Sequence, residues 1–382
     1  MMKIKPYFII CLLILLNPRN FGQNAEFNFG EVESVINKAI NEKVFPGAVV
    51  LVWKNGRIIY QNSFGRLTYD QNSSQVKLNT IYDLASLTKV IATTTATMIC
   101  LDRGLLGLDD KVVKFIPDFG SYGKEKITIK NLLLHNSGLP AWKKFYGRDL
   151  SYNEVLSEIF NSSLEYKTSE KTIYSDLGII TLGKIIEKVT GKTLDTFCKE
   201  EIFKPLGMNL TFFNPPDSVK KLCAPTEKDG YWRMKTLQGE VHDETSAMLN
   251  GVAGHAGLFS TAEDISKLMA MLMSKGLLDN KEYIKKSTIE LFTKRYSVES
   301  TRALGWDTKS DSGSSAGNYF SKNSFGHTGF TGTSIWADPE KNLFVIFLTN
   351  RVYPTRENSG LTKVRPALHN EIIKSINRPN EK

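Results

Sequence analysis

The chain has 382 residues, 41% of them hydrophobic and 23% charged, a balance that excludes a disordered chain, a collagen and a coiled coil. That length suffices for one large domain or two lobes around a sizeable core. The net charge of +9 is spread without a long Lys/Arg run, so nucleic acid is excluded as an expected partner.

The first residues have the pattern of an export leader. Lys3 and Lys5 form a positive start, and Tyr7 to Leu16 is an apolar run of about ten residues, too short to span a bilayer. Asn17, Pro18 and Arg19 break it, and cleavage is expected near Gly22 to Ala25. Cys11 lies inside the apolar run behind Phe8-Ile9-Ile10, a poor setting for a lipid anchor. The expected organisation is a signal peptide over 1–23 and a mature chain over 24–382, exported to a periplasm or secreted, without a stable membrane anchor. The mature chain keeps Cys100, Cys198 and Cys223, whose odd count and wide spacing argue against a disulfide framework.

Hydrophobic spacing predicts a first helix over Glu31 to Lys43. A hairpin follows, with strands Gly47 to Trp53 and Arg57 to Phe64 around the turn Lys54-Asn55-Gly56. Helical patterns cover Ser86 to Arg103, Ile129 to Leu134, Leu177 to Thr190 and Ala262 to Lys275. A second hairpin pairs Gly332 to Ala337 with Leu343 to Asn350, and a last helix covers Leu361 to Ile376. Hairpins at both ends with helices between predict an α+β fold: one antiparallel sheet built from both termini, flanked by helices, with an inserted, mainly helical lobe. The sheet lobe is expected over about 24–110 and 255–382 and the helical lobe over about 111–254. Ser310 to Gly317 is low in complexity and is expected to be a mobile loop.

Two serines compete as nucleophile. Gly313-Ser314-Ser315-Ala316-Gly317 matches the G-x-S-x-G elbow of α/β-hydrolases, but no apolar strand precedes it and no helix follows. Ser-x-x-Lys begins at Ser74, Ser86, Ser121 and Ser218, and three of these lie in polar, turn-rich sequence. Only Ser86-Leu87-Thr88-Lys89 opens a long uncharged run, with Asp83 as the expected N-cap. Residues three apart share a helix face, so Lys89 can reach the Ser86 hydroxyl, which is a poor nucleophile without a basic partner. The plain alternative is a helix start with a surface lysine. Tyr174-Ser175-Asp176 before a helix reads equally as an aromatic staple with an Asp cap. Gly326-His327-Thr328-Gly329-Phe330-Thr331-Gly332 reads as a Gly-rich strand entry or as a close approach of backbone to ligand.

The order of Ser86-x-x-Lys89, Tyr174-Ser175-Asp176 and His327-Thr328-Gly329 resembles the three signatures of the serine β-lactamase-related hydrolases, in the branch of class C β-lactamases, D-alanyl peptidases and esterases. Phe45-Pro46-Gly47-Ala48, Leu132 to Leu139, Pro205-Leu206-Gly207-Met208 and Gly254 to Thr261 extend the resemblance over about residues 30–376. It implies a β-lactamase/transpeptidase-like fold and acyl transfer through Ser86. Lys89 and Tyr174 would share the proton transfers, and the Ser86 and Phe330 backbone N–H groups would form an oxyanion hole. Asp176, His327, Thr328 and Gly329 would line the substrate side. No metal or organic cofactor is implied, and the five histidines show no ligand spacing.

Two positions depart from the family pattern. His327 stands where penicillin-recognising members carry lysine, and Asp176 where they carry asparagine. A mostly neutral histidine gives no permanent charge for a substrate carboxylate, and an ionised Asp cannot donate to a carbonyl. Asp176 would also favour the charged form of Lys89. The expectation is poor turnover of penicillins and of peptides ending in a carboxylate, and a better fit to esters or to amides carrying an amine. A cell-wall peptide is the first substrate class to consider, and a lipid or small-molecule ester the second. The rival is a non-catalytic binding or sensor protein of the same fold. His135 is expected to fix a loop. His242-Asp243-Glu244 is expected to form a hydrogen-bonded loop, with a substrate contact as the alternative.

Overall fold

The computed structural model describes residues 27–378, so the expected leader over 1–23 lies outside the described residues. Six strands form the main sheet: β1 (Gly47–Lys54), β2 (Arg57–Gly65), β3 (Asp307–Thr308), β4 (Phe325–Thr328), β5 (Ser334–Asp338) and β6 (Leu343–Thr349). Their spatial order is β3-β4-β5-β6-β1-β2, and every neighbouring pair is antiparallel. The first and last hairpins thus join edge to edge, with Val50 opposite Phe347. The β1–β2 turn takes its shape from Asn55 and Gly56, both at positive φ, as a tight primed turn requires.

Alternation along the two central strands sorts side chains to opposite faces. Val50, Val52, Val345 and Phe347 pack under helices α1 (Gly30–Asn41) and α5 (Leu361–Asn377). Val49, Leu51, Ile346 and Leu348 join the larger core on the other face. That core also takes α2 (Thr95–Asp102), α3 (Asp176–Thr190) and α4 (Ala262–Met273). Both faces are therefore covered, and β1 is buried from Gly47 to Trp53.

The predicted helix over Ser86 to Arg103 is three pieces. A 3-10 turn covers Ala85–Leu87, a π-helical turn covers Lys89–Thr94, and only Thr95–Asp102 is α-helical. The Thr95 hydroxyl donates to Val90 O, five residues back, which suits the wider turn. Tyr152–Phe160, Leu194–Cys198 and Lys286–Thr293 are further helices that the spacing did not reveal.

The Ser310 to Gly317 loop is anchored at its Ser315 end. The Trp336 indole N–H donates to Ser315 Oγ at 3.0 Å, and His369 Nδ1 lies 2.8 Å from Ser315 O. Ser315 is thereby committed to packing, and no strand-to-helix elbow surrounds it. Among the described residues, Cys100, Cys198 and Cys223 are buried and unpaired. No described helix is long and apolar enough to cross a membrane.

Candidate active site

The turn that carries Ser86 is held from three sides. Asp83 does not cap a helix: one carboxylate oxygen accepts the Ala85 N–H at 2.8 Å and the other the His242 N–H at 2.7 Å. Leu84 N–H donates to Leu258 O at 2.9 Å. Thr331 and Thr333 hydroxyls donate to Asp83 O and Leu84 O, at 2.7 and 3.0 Å. These bonds hold Ala85 at φ 46°, a left-handed conformation that a residue with a Cβ adopts at a cost. The strain sits directly before the nucleophile candidate.

Lys89 is fully buried, and its ammonium meets three oxygens. Nζ donates to Ser86 Oγ at 2.9 Å and to His255 O at 3.0 Å, and pairs with Asp176 Oδ1 at 2.8 Å. Burial opposes its charge, but the Asp176 carboxylate and the Tyr174 oxygen outweigh burial and leave its pKa above the ordinary lysine value. The Tyr174 ring lies 4.9 Å below Nζ. Burial pushes the Tyr174 phenol up despite the opposing Lys89 charge, and its buried hydroxyl has no hydrogen-bond partner among the described residues. The resting group is therefore an ammonium and a neutral phenol.

Ser175, and not Asp176, caps α3. Its Oγ accepts the Gly178 N–H at 3.2 Å and donates to Pro140 O at 2.6 Å. This frees the Asp176 side chain for Lys89, while Asp176 N–H donates to Ala141 O at 2.9 Å. His135 fixes this entry, since its Nδ1 accepts the Ser175 N–H at 3.1 Å. It also stacks on Tyr174, with ring centroids 4.6 Å apart, which places it beside the site.

On the opposite wall, β4 presents His327 and Thr328. Burial, then Arg302 and Lys89, push the His327 imidazole well below the ordinary range, so it is neutral, as its residue type implied. Its Nδ1 lies 2.8 Å from Thr328 O, and its buried Nε2 has no partner among the described residues. At Gly329 a Cβ would fall 2.4 Å from Leu84 O and 2.1 Å from Thr333 Oγ1, so only glycine lets this strand end approach the Ser86 turn. Phe330 O is held by Arg351 Nε at 2.9 Å. The Phe330 N–H has no protein acceptor among the described residues.

Ser86, Tyr174, His327, Thr328, Gly329 and Phe330 open on one cavity of about 440 Å³. The sequence reading missed its cations: Arg302, Arg351 and Arg365 also line it. Arg302 sits 5.0 Å over the Tyr174 ring. Arg365 reaches in from α5, bonds Gly329 O and Thr333 O, and has no acceptor for its buried Nε among the described residues. None of the three is ion-paired to a carboxylate among the described residues. The expectation that carboxylate-bearing substrates are disfavoured rested on both His327 and Asp176, and these guanidinium groups supply the positive charge that His327 does not. The three arginines come from separate segments and form no local pattern, so only the fold assembles them.

His242-Asp243-Glu244 forms a hydrogen-bonded network behind Phe330. His242 Nε2 lies 3.0 Å from Glu227 Oε2, and Arg356 pairs with Glu227 and Glu244 at 2.6 and 2.8 Å. His242 packs on the Phe330 ring, with centroids 5.7 Å apart. Asp243 Oδ1 lies 2.9 Å from His255 Nε2, tying it to the backbone that accepts from Lys89. Among the described residues no group of three or more acidic, His or Cys side chains is placed to hold a metal.

A sequence profile described as Beta-lactamase matches residues 32–368. The chain is 37% identical over 341 residues to an N-acetylmuramyl-L-alanine amidase of Bacillus subtilis (strain 168), covering 80% of this chain and 77% of that one. It is 32% identical over 371 residues to an Escherichia coli (strain K12) protein provisionally named a D-alanyl-D-alanine carboxypeptidase, covering 88% and 85%. A penicillin-binding protein homologue from Caulobacter crescentus superposes with a TM-score of 0.74 at 19% identity, over 91% of this chain and 97% of that one, a likeness of fold.

Proposed function

The chain belongs to the beta-lactamase family and is a serine hydrolase, and on that premise we propose that it cleaves an amide of a peptidoglycan-derived peptide through an acyl ester on Ser86. The observation that carries this reading is the contact of Ser86 Oγ with a buried Lys89 that also touches Asp176 and stacks over Tyr174, at the floor of an arginine-lined cavity. Two relatives at 37% and 32% identity are named for cell-wall amide hydrolysis, which supports the substrate class.

In this reading the reactive form is the one in which the Lys89–Tyr174 pair has first lost a proton to solvent; Ser86 Oγ then attacks the carbonyl, and its proton enters that pair. The two groups titrate as a unit, so the proton belongs to the pair and not to either residue. The same proton then goes to the leaving nitrogen as the C–N bond breaks. Water, deprotonated by the pair, splits the ester. The Ser86 and Phe330 N–H groups hold the oxyanion, a contribution of about two to three orders of magnitude in rate for one donor. The arginines hold the carboxylates of the peptide. Penicillins turn over poorly, because Asp176 offers no amide N–H to the substrate carbonyl. The protein acts after export, free of the membrane.

The test is intact mass after a serine-reactive fluorophosphonate, followed by assay of muramyl-peptide and of pentapeptide ending in D-alanyl-D-alanine. One adduct on the wild type, none on Ser86→Ala, and release of a new amine from either substrate are expected. A folded wild type that takes no adduct would make the protein a binding module that keeps the fold.

A further inference from the structure

One group of side chains beside the site has no part in the chemistry above. Trp142, Tyr231 and Phe330 are each close to half exposed, at 47%, 48% and 49%. Tyr146 links the first two: its ring lies 6.5 Å from Trp142, 5.9 Å from Tyr231 and 5.7 Å from Trp232. Cations brace these rings. Lys144 lies 4.9 Å from Tyr146, Arg233 5.0 Å from Trp232, Arg356 5.0 Å from Tyr231 and Arg351 4.5 Å from Phe330. Contiguous exposed apolar surface of this kind on a hydrolase marks a contact site.

One end of the group lines the reaction cavity and the other follows a residue bonded to the site. Trp142 follows Ala141, whose carbonyl accepts the Asp176 N–H, and Asp176 pairs with Lys89. Phe330 lines the cavity with Ser86 and packs on His242, and Arg356 lies 3.5 Å from His242 and 5.0 Å from the Tyr231 ring. The aromatic wall therefore adjoins the site on its Phe330 and Asp176 sides, while Arg302, Arg351 and Arg365 line the cavity itself.

We propose that Trp142, Tyr146 and Tyr231 form a saccharide subsite, and that the bond cleaved joins a sugar-borne acyl group to the first amino acid of the peptide. This rests on the amide-hydrolase reading and extends it to the substrate's second half. The chemistry of the wall selects the occupant. Its rings are tilted against one another and edged by Lys, Arg and the Tyr231 hydroxyl. Flat aromatic faces beside polar groups suit the C–H face and hydroxyls of a pyranose, whereas an acyl chain needs a continuous aliphatic lining. In the reaction the sugar-borne acyl carbon bonds to Ser86 Oγ as its bond to nitrogen breaks, and the Ser86 proton passes to the leaving amine. Water then releases the sugar acid and restores the serine proton. The anionic peptide leaves past the arginines.

The test compares two amides with the same peptide: N-acetylmuramyl-L-alanyl-D-isoglutamine and N-lactyl-L-alanyl-D-isoglutamine, which lacks the sugar ring. The wild type is expected to favour the first, mainly through KM. Trp142→Ala should lower the ratio of the two kcat/KM values roughly tenfold, the loss of one ring contact, and Trp142→Phe should restore most of it. Equal kcat/KM for both amides in the wild type, or a preference untouched in Trp142→Ala, would overturn the subsite. Saturation-transfer NMR of free N-acetylmuramic acid on Ser86→Ala and on Ser86→Ala/Trp142→Ala separates this from the reading beneath it. Sugar signal that needs Trp142, without turnover of either amide, would sink the amidase reading and keep the subsite. Turnover without any sugar signal would do the reverse.

Discussion

Replacing Asp176 by asparagine removes the carboxylate 2.8 Å from Lys89 Nζ and leaves the burial of that lysine in place. Burial alone lowers a lysine pKa, so the neutral amine forms at lower pH in the variant. The acid limb of the kcat/KM–pH profile is expected to move to lower pH in Asp176→Asn, and penicillin acylation, followed by mass, is expected to appear as the amide N–H becomes available. An unmoved limb would mean that Lys89 is not the titrating base. Arg302→Ala should raise KM for a carboxylate-bearing peptide about tenfold, as loss of one hydrogen bond to a charged group does. Amidation of that peptide should cancel the effect. At this scale Ser86, Lys89, Tyr174 and His327 were legible because their chemistry sits in short motifs. Arg302, Arg351 and Arg365 were not, because an isolated arginine carries no sign of the cavity it will face.

At the scale of elements, the turn before Ser86 and the end of β4 are made for each other. Gly329→Ala would drive a Cβ into Leu84 O and Thr333 Oγ1 and push the Phe330 N–H away from the serine. The expected outcome is a folded protein by circular dichroism whose kcat falls by about two to three orders of magnitude, the loss of one oxyanion donor. Ala85→Gly tests the stored strain. A left-handed L-residue costs roughly 1–2 kcal/mol, so urea unfolding should show a stabilised variant. The two terminal hairpins and the flanking helices were readable from period-2 and helical spacing, since long, strongly patterned segments pair with what lies nearest in chain. The helix through Lys89 was misread as regular because a π turn keeps the composition of an α-helix and differs only in where its hydrogen bonds go. Strand β4 hid in a Gly-rich stretch whose burial comes from its neighbours.

For the molecule as a whole, distant segments meet in ion pairs as well as in the sheet. Glu227 joins the middle of the chain to Arg356 near its end and to His242 beneath Phe330. Burial would raise its pKa, but the bonds to His242 and Arg356 prevail and hold it at about 2, below its ordinary 4.5. A depressed carboxylate contributes stability that is present above 4.5 and is lost as pH falls towards 2. Thermal unfolding at stepped pH should show the wild type losing Tm across that window, and Glu227→Gln should start lower and lose less.

The export proposed above gives the three buried thiols a consequence. Burial pushes Cys100 and Cys223 up to about 12, and Cys198 well above its usual value. Disulfide exchange proceeds through the thiolate, so the native protein offers an oxidant nothing to attack. The unfolded chain has no such shield, and any two of the three sulfurs can couple wrongly. Native protein should leave a thiol reagent unreacted until denaturant is added. Its refolding yield should fall in air and recover with reductant, so maturation is a race between burial and oxidation.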